Sequence, residues 1–204
     1  MIYEVYIIIY KLYLLKFEVY MFLKEEELNQ KGFKSLGKNV LISDKASIYG
    51  ANNISIGNDV RIDDFCILSG NITLKNNIHI AAGSMIFGGQ AGVILEDYSG
   101  TSSRCAIYAL TDDFIGKGMT NPTIPEEFRN VKEAQVILGK HCVVGTGSTV
   151  LPGVHIAEGT SIGSMSLVNK NTLPWKVYYG IPAKPKRDRD KKILECEQEF
   201  IASK

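Results

Sequence analysis

A triangular all-β solenoid is the fold the sequence predicts, on two observations: an aliphatic residue recurs at every sixth position, and small residues flank it. The aliphatic series runs Ile42, Ile48, Ile56, Ile62, Leu68, Leu74, Ile80 and Ile86. It resumes at Leu95, Thr101 and Ile107, and restarts at Leu138, Val144, Val150, Ile156, Ile162 and Val168. The next residue is often Gly, Asp, Ser or Ala, and the residue two before is small or β-branched. A period of six fits neither a helix nor an alternating strand. It fits a prism in which each hexapeptide makes one flat side and three make a coil. The aliphatic residue then points inward, the small residue turns the corner, and parallel strands bond from coil to coil. Seventeen matches with two slips, of two residues before Ile56 and three before Leu95, are beyond chance.

The repeat assigns the other segments. Residues 36–175 form the prism, interrupted at 111–135, where Gly116, Gly118, Pro122 and Pro125 argue for a loop thrown outward. A loop of that length is usually functional or disordered. Residues 1–35 hold an apolar segment and a short helix; residues 176–204 hold the YYGIPAK stretch and a polar helix from about Arg187. Ile193, Cys196 and Phe200, with Leu194 and Ile201 beside them, give that helix one apolar stripe. Glu4, Lys11, Lys16 and Glu18 break the apolar start far short of the roughly 18–20 residues of a membrane span, and it has no secretory cleavage pattern. It reads as a peripheral packing strand or, with Met21 as the true start, as translated upstream sequence; the intact mass of the native protein decides between them. Cys66, Cys105 and Cys142 occupy the inward small-residue slot, where a thiol acts as a small hydrophobe. Without CxxC spacing, neither zinc nor disulfides are signalled, which points to a reducing cytoplasm. A net charge of +1 offers no global field for nucleic acid.

At the level of motifs the chain resembles the hexapeptide-repeat acyltransferases, over nearly everything after Met21. RIDDFCILSG at 61–70, NNIHIAAGS at 76–84 and LTDDF…NP at 110–122 resemble the branch that modifies surface-polysaccharide sugars. That branch includes galactoside O-acetyltransferases and N-acyltransferases of nucleotide-linked 4-amino-4,6-dideoxyglucose. ILGKHCVVGTGSTVLPGV at 137–154, SIGSMSLVNK at 161–170 and YYGIPAKPKRDR at 178–189 are features of the wider superfamily. The resemblance implies a left-handed parallel β-helix with an extruded loop and a short C-terminal helix. It implies a homotrimer with sites between prisms, acetyl-CoA along the C-terminal coils, and the loop of one subunit over the acceptor. The galactoside branch carries its catalytic histidine where the loop leaves the prism. Here that place reads Thr111, Asp112, Asp113, Phe114.

Either the chemistry tolerates the absence of a histidine there, or the proton acceptor is one of His79, His141 and His155. In the register His79 and His155 point outward and His141 sits near a corner. His79 lies in a coil that carries the resemblance and is the preferred general base, with a side chain suited to proton transfer near neutrality. Asp112 or Asp113 would orient the imidazole or bind the acceptor's hydroxyls or amine, with Asn121 beside Asp113 for the substrate; turn formation is the competing role for these carboxylates. Gly145, Thr146, Gly163 and Ser164 expose backbone for a pantetheine arm, against a competing role as coil corners. Lys184, Lys186 and Arg189 are candidates for the nucleotide phosphates, against a solvated charged face. No ligand cluster for a metal is visible. Two rivals remain. A γ-type carbonic anhydrase needs three converging histidines, which spacings of 62 and 14 residues do not provide. A non-catalytic scaffold has no need of the long loop.

Overall fold

The computed structural model describes residues 22–204; the apolar start and the Met21 reading lie outside them. The hexapeptide register is realised as a left-handed parallel β-helix of about seven coils. On one face, rungs at Leu41–Ile42, Val60–Ile62, Ile78–Ile80, Gly100–Thr101, Val143–Val144, Ser161–Ile162 and Lys176–Tyr179 pair in parallel. The second face carries Ser47–Tyr49, Ala106–Tyr108, Thr149–Val150 and Leu167–Val168; the third carries Ser35–Leu36, Ile54–Ile56, Val136–Leu138 and His155–Ile156. The strands Ile67–Leu74 and Met85–Leu95 run through the corner and serve the second and third faces in turn.

The predicted inward positions form the core. Ile42, Ile62, Leu68, Ile80, Ile86, Leu95, Ile107 and Leu138 are fully buried, as are Cys66 and Cys105. Burial pushes the thiols up, that of Cys142 to about 12, so they serve as core filler. The two slips become local geometry. The first is a 3-10 turn at Ala51–Asn53. The second is a bulge within Met85–Leu95, where a Cβ on Gly88 would lie 2.0 Å from the Asn71 carbonyl oxygen. Helix α1 (Glu25–Gln30) closes the first coil with the buried Leu28, and its three leading glutamates complement the helix dipole.

One corner stacks residues in the left-handed region: Asn39, Asp59, Asn77, Tyr98, His141, Gly159 and Trp175. Asn and Asp visit this region readily, whereas aromatic residues do so only where the surroundings impose it. Here stacking imposes it. Tyr98 lies on His141 at 5.2 Å between ring centres. Gly159 is bare because a Cβ would meet the Trp175 indole at 2.4 Å.

The C-terminal segment departs from expectation. Lys184–Asp188 is a strand antiparallel to Lys176–Tyr179, and helix α2 (Ile193–Ala202) begins six residues later than Arg187. The apolar stripe is not buried: Cys196 and Ile201 are exposed, and Phe200 is 41% exposed. The reason is the shape of the ridge under it. A prism corner is narrow, so α2 touches it through about one residue per turn, Glu197 and Phe200 above all. Among the described residues no helix is long and apolar enough to cross a membrane.

Candidate active site

On the first face the outward residues of successive rungs are Arg61, His79, Gly100 and Val143. A Cβ on Gly100 would approach the His79 carbonyl oxygen to 2.6 Å. The imidazole therefore stands beside bare backbone, at the floor of an open groove of about 490 Å³. Ser102, Ser103 and Thr146 wall it on one side, Tyr98 on the other, and Arg189 and Ile193 reach in from the C-terminal segment. His79 Nε2 lies 2.7 Å from Asp63 Oδ2, and Asp63 Oδ1 accepts from Arg61 Nε at 2.7 Å. Burial pushes the Asp63 carboxyl up, but the hydrogen bonds from Arg61 and His79 outweigh it and hold the group below the usual carboxylate range. With Nε2–H donated to Asp63, the neutral ring turns its Nδ1 lone pair outward as a free acceptor.

Asp63 was not among the residues singled out from the sequence. A signal existed: Arg61 is one 18-residue coil before His79, so a residue two places past Arg61 falls within reach of it.

The loop is anchored at both ends. Leu110–Thr111 pairs antiparallel with Lys132–Glu133, and a 3-10 turn at Glu126–Phe128 folds the middle back. Asp113 is 3% exposed and accepts from the backbone N–H of Ile115 and Lys117, both at 2.8 Å, and from Asn130 Nδ2 at 3.0 Å. The Asn130 bond, foremost, holds its carboxyl below the usual range. Asn121 Oδ1 accepts from the Thr123 N–H at 3.0 Å, a turn that holds the loop. Asp112 is only partly occupied. It pairs with Arg129 Nη2 at 2.9 Å, which lowers its pKa, and accepts from the Asn121 N–H at 3.2 Å. It borders a cavity of about 670 Å³ between the loop and the second face. There Phe87 and Tyr108 stack at 5.2 Å, and Phe114, Val131 and Leu151 complete the apolar wall. Within one chain, His79 and Asp112 thus line two separate pockets, on adjacent faces.

The remaining candidates divide by what they touch. Thr146 lines the His79 groove. Gly145 and Gly163 are needed for coil stacking, since a Cβ would lie 2.6 Å from the Ser164 amide nitrogen and 2.9 Å from Tyr179 Cβ respectively. Ser164 is an exposed corner residue, and Lys184 and Lys186 project from the exposed strand, Lys186 4.9 Å above the Tyr179 ring. Arg189 Nη1 is tied to the carbonyls of His141, at 2.7 Å, and Gly159, at 3.1 Å. His155 is exposed on the third face, whereas His141 is buried with Nε2 2.9 Å from Glu197 Oε2. Among the described residues no three metal-ligating side chains converge, and the three histidines stand apart from the pattern a γ-type carbonic anhydrase requires.

The dTDP-4-amino-4,6-dideoxy-D-glucose acyltransferase of Escherichia coli is 48% identical over 185 residues, 89% of this chain and 96% of that protein. The chain belongs to the hexapeptide-repeat acyltransferases. The crystal structure of AntD, an N-acyltransferase from Bacillus cereus, in complex with dTDP and 3-hydroxybutyryl-CoA, superposes with a TM-score of 0.88 at 48% identity. It covers 90% of this chain and 97% of AntD. A putative lipopolysaccharide biosynthesis O-acetyl transferase, WbbJ of Escherichia coli K12, is 27% identical over 147 residues, 70% of this chain and 72% of WbbJ. No protein-family profile matches the chain. The acyltransferase family accounts for the loop and the groove, which a scaffold would not need.

Proposed function

We propose that the chain transfers an acyl group from a coenzyme A thioester to the 4-amino group of dTDP-4-amino-4,6-dideoxyglucose, as a step toward a surface polysaccharide. The observation that carries this reading is the 48% identity that spans nearly the whole of both chains. A second one fits it: the loop leaves the prism with a carboxylate where the hydroxyl-modifying branch has a histidine. An amine, once deprotonated, is a good nucleophile and needs less help than a hydroxyl.

The amine nitrogen attacks the thioester carbonyl, a C–N bond forms, and the tetrahedral intermediate collapses with cleavage of the C–S bond. His79 Nδ1 takes the proton the nitrogen loses, and the departing coenzyme A thiolate takes one back. A backbone N–H of the coils donates to the oxyanion in this reading. The Asp112 carboxylate attracts the sugar's ammonium, which gives up one proton to solvent before attack, and holds the resulting amine in place. Ser102, in the His79 groove, supplies a hydroxyl. AntD has also been solved with a serine and an aspartate ten positions apart replaced in turn. Ser102 and Asp112 have that spacing, as do Ser103 and Asp113. Asp113 is consumed inside the loop, which favours the first pair.

His79 and Asp112 meet if the loop of one copy lies against the first face of the next, which is the arrangement of a homotrimer. We assign Thr146 and the exposed backbone near Gly145, Gly163 and Ser164 to the pantetheine arm, and Lys184 and Lys186 to the phosphates. Arg189 shapes the groove from its tether on the corner carbonyls. Acetyl-CoA is the simplest donor, and the free thiols fit a cytoplasmic enzyme that works without a metal. The test is thiol release from acetyl-CoA with dTDP-4-amino-4,6-dideoxyglucose and with simple galactosides. Turnover on the amino sugar alone is expected, and turnover on hydroxyl sugars alone would overturn the proposal.

A further inference from the structure

We propose that Arg129 is a positioning residue that acts through Asp112: its charge offsets the carboxylate, so that the 4-amino group held there is kept as the free amine. This rests on the transfer reading above, which puts that amine on Asp112. Attraction alone would defeat the chemistry. A lone carboxylate within about 4–6 Å of an ammonium favours the charged form, and an ammonium has no lone pair with which to attack a thioester.

Asp112 is not alone. Its Oδ1 accepts from Arg129 Nη2 at 2.9 Å, and its Oδ2 from the Asn121 N–H at 3.2 Å. Each oxygen keeps a second acceptor site, so the amine binds without displacing the guanidinium. The two nitrogens then stand about 4–6 Å apart across the carboxylate, close enough for like charges to repel. The ammonium gives its proton to water and keeps the lone pair, and a remaining N–H donates to Asp112. Two features of Arg129 point to its charge. Its side chain is only 20% exposed, so solvent screens it weakly. Its Nε is buried with no hydrogen-bond partner among the described residues, a cost that a residue serving only to tie the loop has no reason to carry. The loop is tied elsewhere, by Asp113 and by the pairing of Leu110–Thr111 with Lys132–Glu133. Few other titratable groups face the pair. Tyr108 lines the same cavity, and the enclosed Asp113 is next in sequence. Glu126 and Glu133 line a polar cavity of about 450 Å³ that Arg129 also borders, and among the described residues Arg129 pairs with neither. In the homotrimer reading, the adjoining copy's first face adds His79.

The test follows the amine itself. dTDP-4-amino-4,6-dideoxyglucose carrying nitrogen-15 in its amino group is bound without a thioester, and its nitrogen resonance is titrated with pH by NMR. Arg129→Gln keeps a donor but loses the charge, and should raise the midpoint of the bound amine by about one pH unit. Arg129→Lys keeps the charge but loses the planar fork, and should leave the midpoint within a few tenths of a unit. Turnover should divide in the same way. Below that midpoint Arg129→Gln should lower kcat about tenfold and also lower KM for the amino sugar, because the uncovered carboxylate binds the ammonium more tightly. A purely structural role predicts a raised KM. An unmoved midpoint in Arg129→Gln overturns the inference, as does an equal rise in Arg129→Lys or loss of the sugar from Arg129→Gln. In each of those cases, thiol release by the wild type on the amino sugar leaves the transfer reading standing. A wild type that does not bind the amino sugar overturns both.

Discussion

Asp63→Asn removes one charge from the His79 groove and leaves the shape of the side chain almost intact. The two contacts it disturbs are the 2.7 Å bonds to His79 Nε2 and Arg61 Nε. An aspartate can only accept, so it fixes the ring with Nε2 protonated and Nδ1 free. An asparagine can accept or donate, and with its N–H presented to the ring it selects the other tautomer. Loss of a general base costs about 10²–10⁴ in rate. His79 is 53% exposed, so water can partly replace the carboxylate, and kcat should fall by about tenfold to a hundredfold. The cost in stability should be small. Both partners are half exposed, and such ion pairs contribute about 0–1 kcal/mol, equivalent to a melting shift of about 2–4 °C at most for a chain of this size. The assay is thiol release at saturating co-substrates, with KM expected to stay within about threefold. In a His79→Ala background the same substitution should change nothing further, because a positioning residue acts through the group it positions. A kcat within about threefold of wild type, or an equal additional loss in the His79→Ala background, would refute the reasoning. The substitution also has a pH signature. The folded carboxyl lies below its ordinary value of 3.8, so its contribution to stability is present above about pH 4 and is lost as pH falls through the folded value. The variant should therefore lose less stability than the wild type on acidification through that window.

The other predictions concern the frame around the site. Of the four cysteines, only the exposed Cys196 should react with a thiol reagent in the native protein, and all four should react in denaturant; native reaction of two or more would contradict the buried slots. Ile80→Ala, at a fully buried position directly beside His79 in sequence, should cost about 2–5 kcal/mol in urea unfolding; a loss under about 1 kcal/mol would mean that the column is not closely packed there. Asp113→Ala frees two backbone N–H groups and Asn130, so proteases should cut within residues 111–131 much faster, while the prism melts within a few degrees of wild type.

The prism was legible because its signal is one-dimensional. Each coil contacts only its neighbours, so a period of six is enough to put Ile80 inside, His79 outside and Cys142 in the inward slot. Contacts between adjacent coils were legible in principle too, and Asp63 could have been found by counting one coil back from His79. What the period does not carry is the fate of polar side chains in segments that leave the repeat. Asp112 and Asp113 are chemically identical in sequence, yet one is enclosed by its own loop and the other faces a cavity. That difference depends on Asn130 and Arg129, seventeen residues away in each case. The exposure of the C-terminal helix is a related case. Its apolar stripe at helical spacing predicts burial only against a broad surface, and the surface here is a ridge.

A solenoid has flat sides and no cleft of its own, so a site on it must borrow walls. The His79 groove borrows Arg189 and Ile193 from the C-terminal segment, and the helix that begins at Ile193 is held by little. Helix α2 buries none of its residues. Its main attachment is Glu197, which accepts from Lys140 Nζ at 2.6 Å and lies 2.9 Å from His141 Nε2. Phe200 adds an edge contact to Tyr98, and Lys204 an ion pair with Asp59 at 3.2 Å. The Lys140 bond, foremost, holds the Glu197 carboxyl below the usual range. Glu197→Gln removes that charge, so the helix should fray from the ridge without unsettling the prism, whose core it does not enter. Hydrogen exchange should then rise in α2 alone, with unchanged protection at the Ile78–Ile80 rung. If the groove needs its C-terminal wall, KM for the thioester should rise by about threefold to tenfold, as expected for a lost binding contact, while kcat changes little. Faster exchange in α2 with an unaltered KM would show that the wall is dispensable.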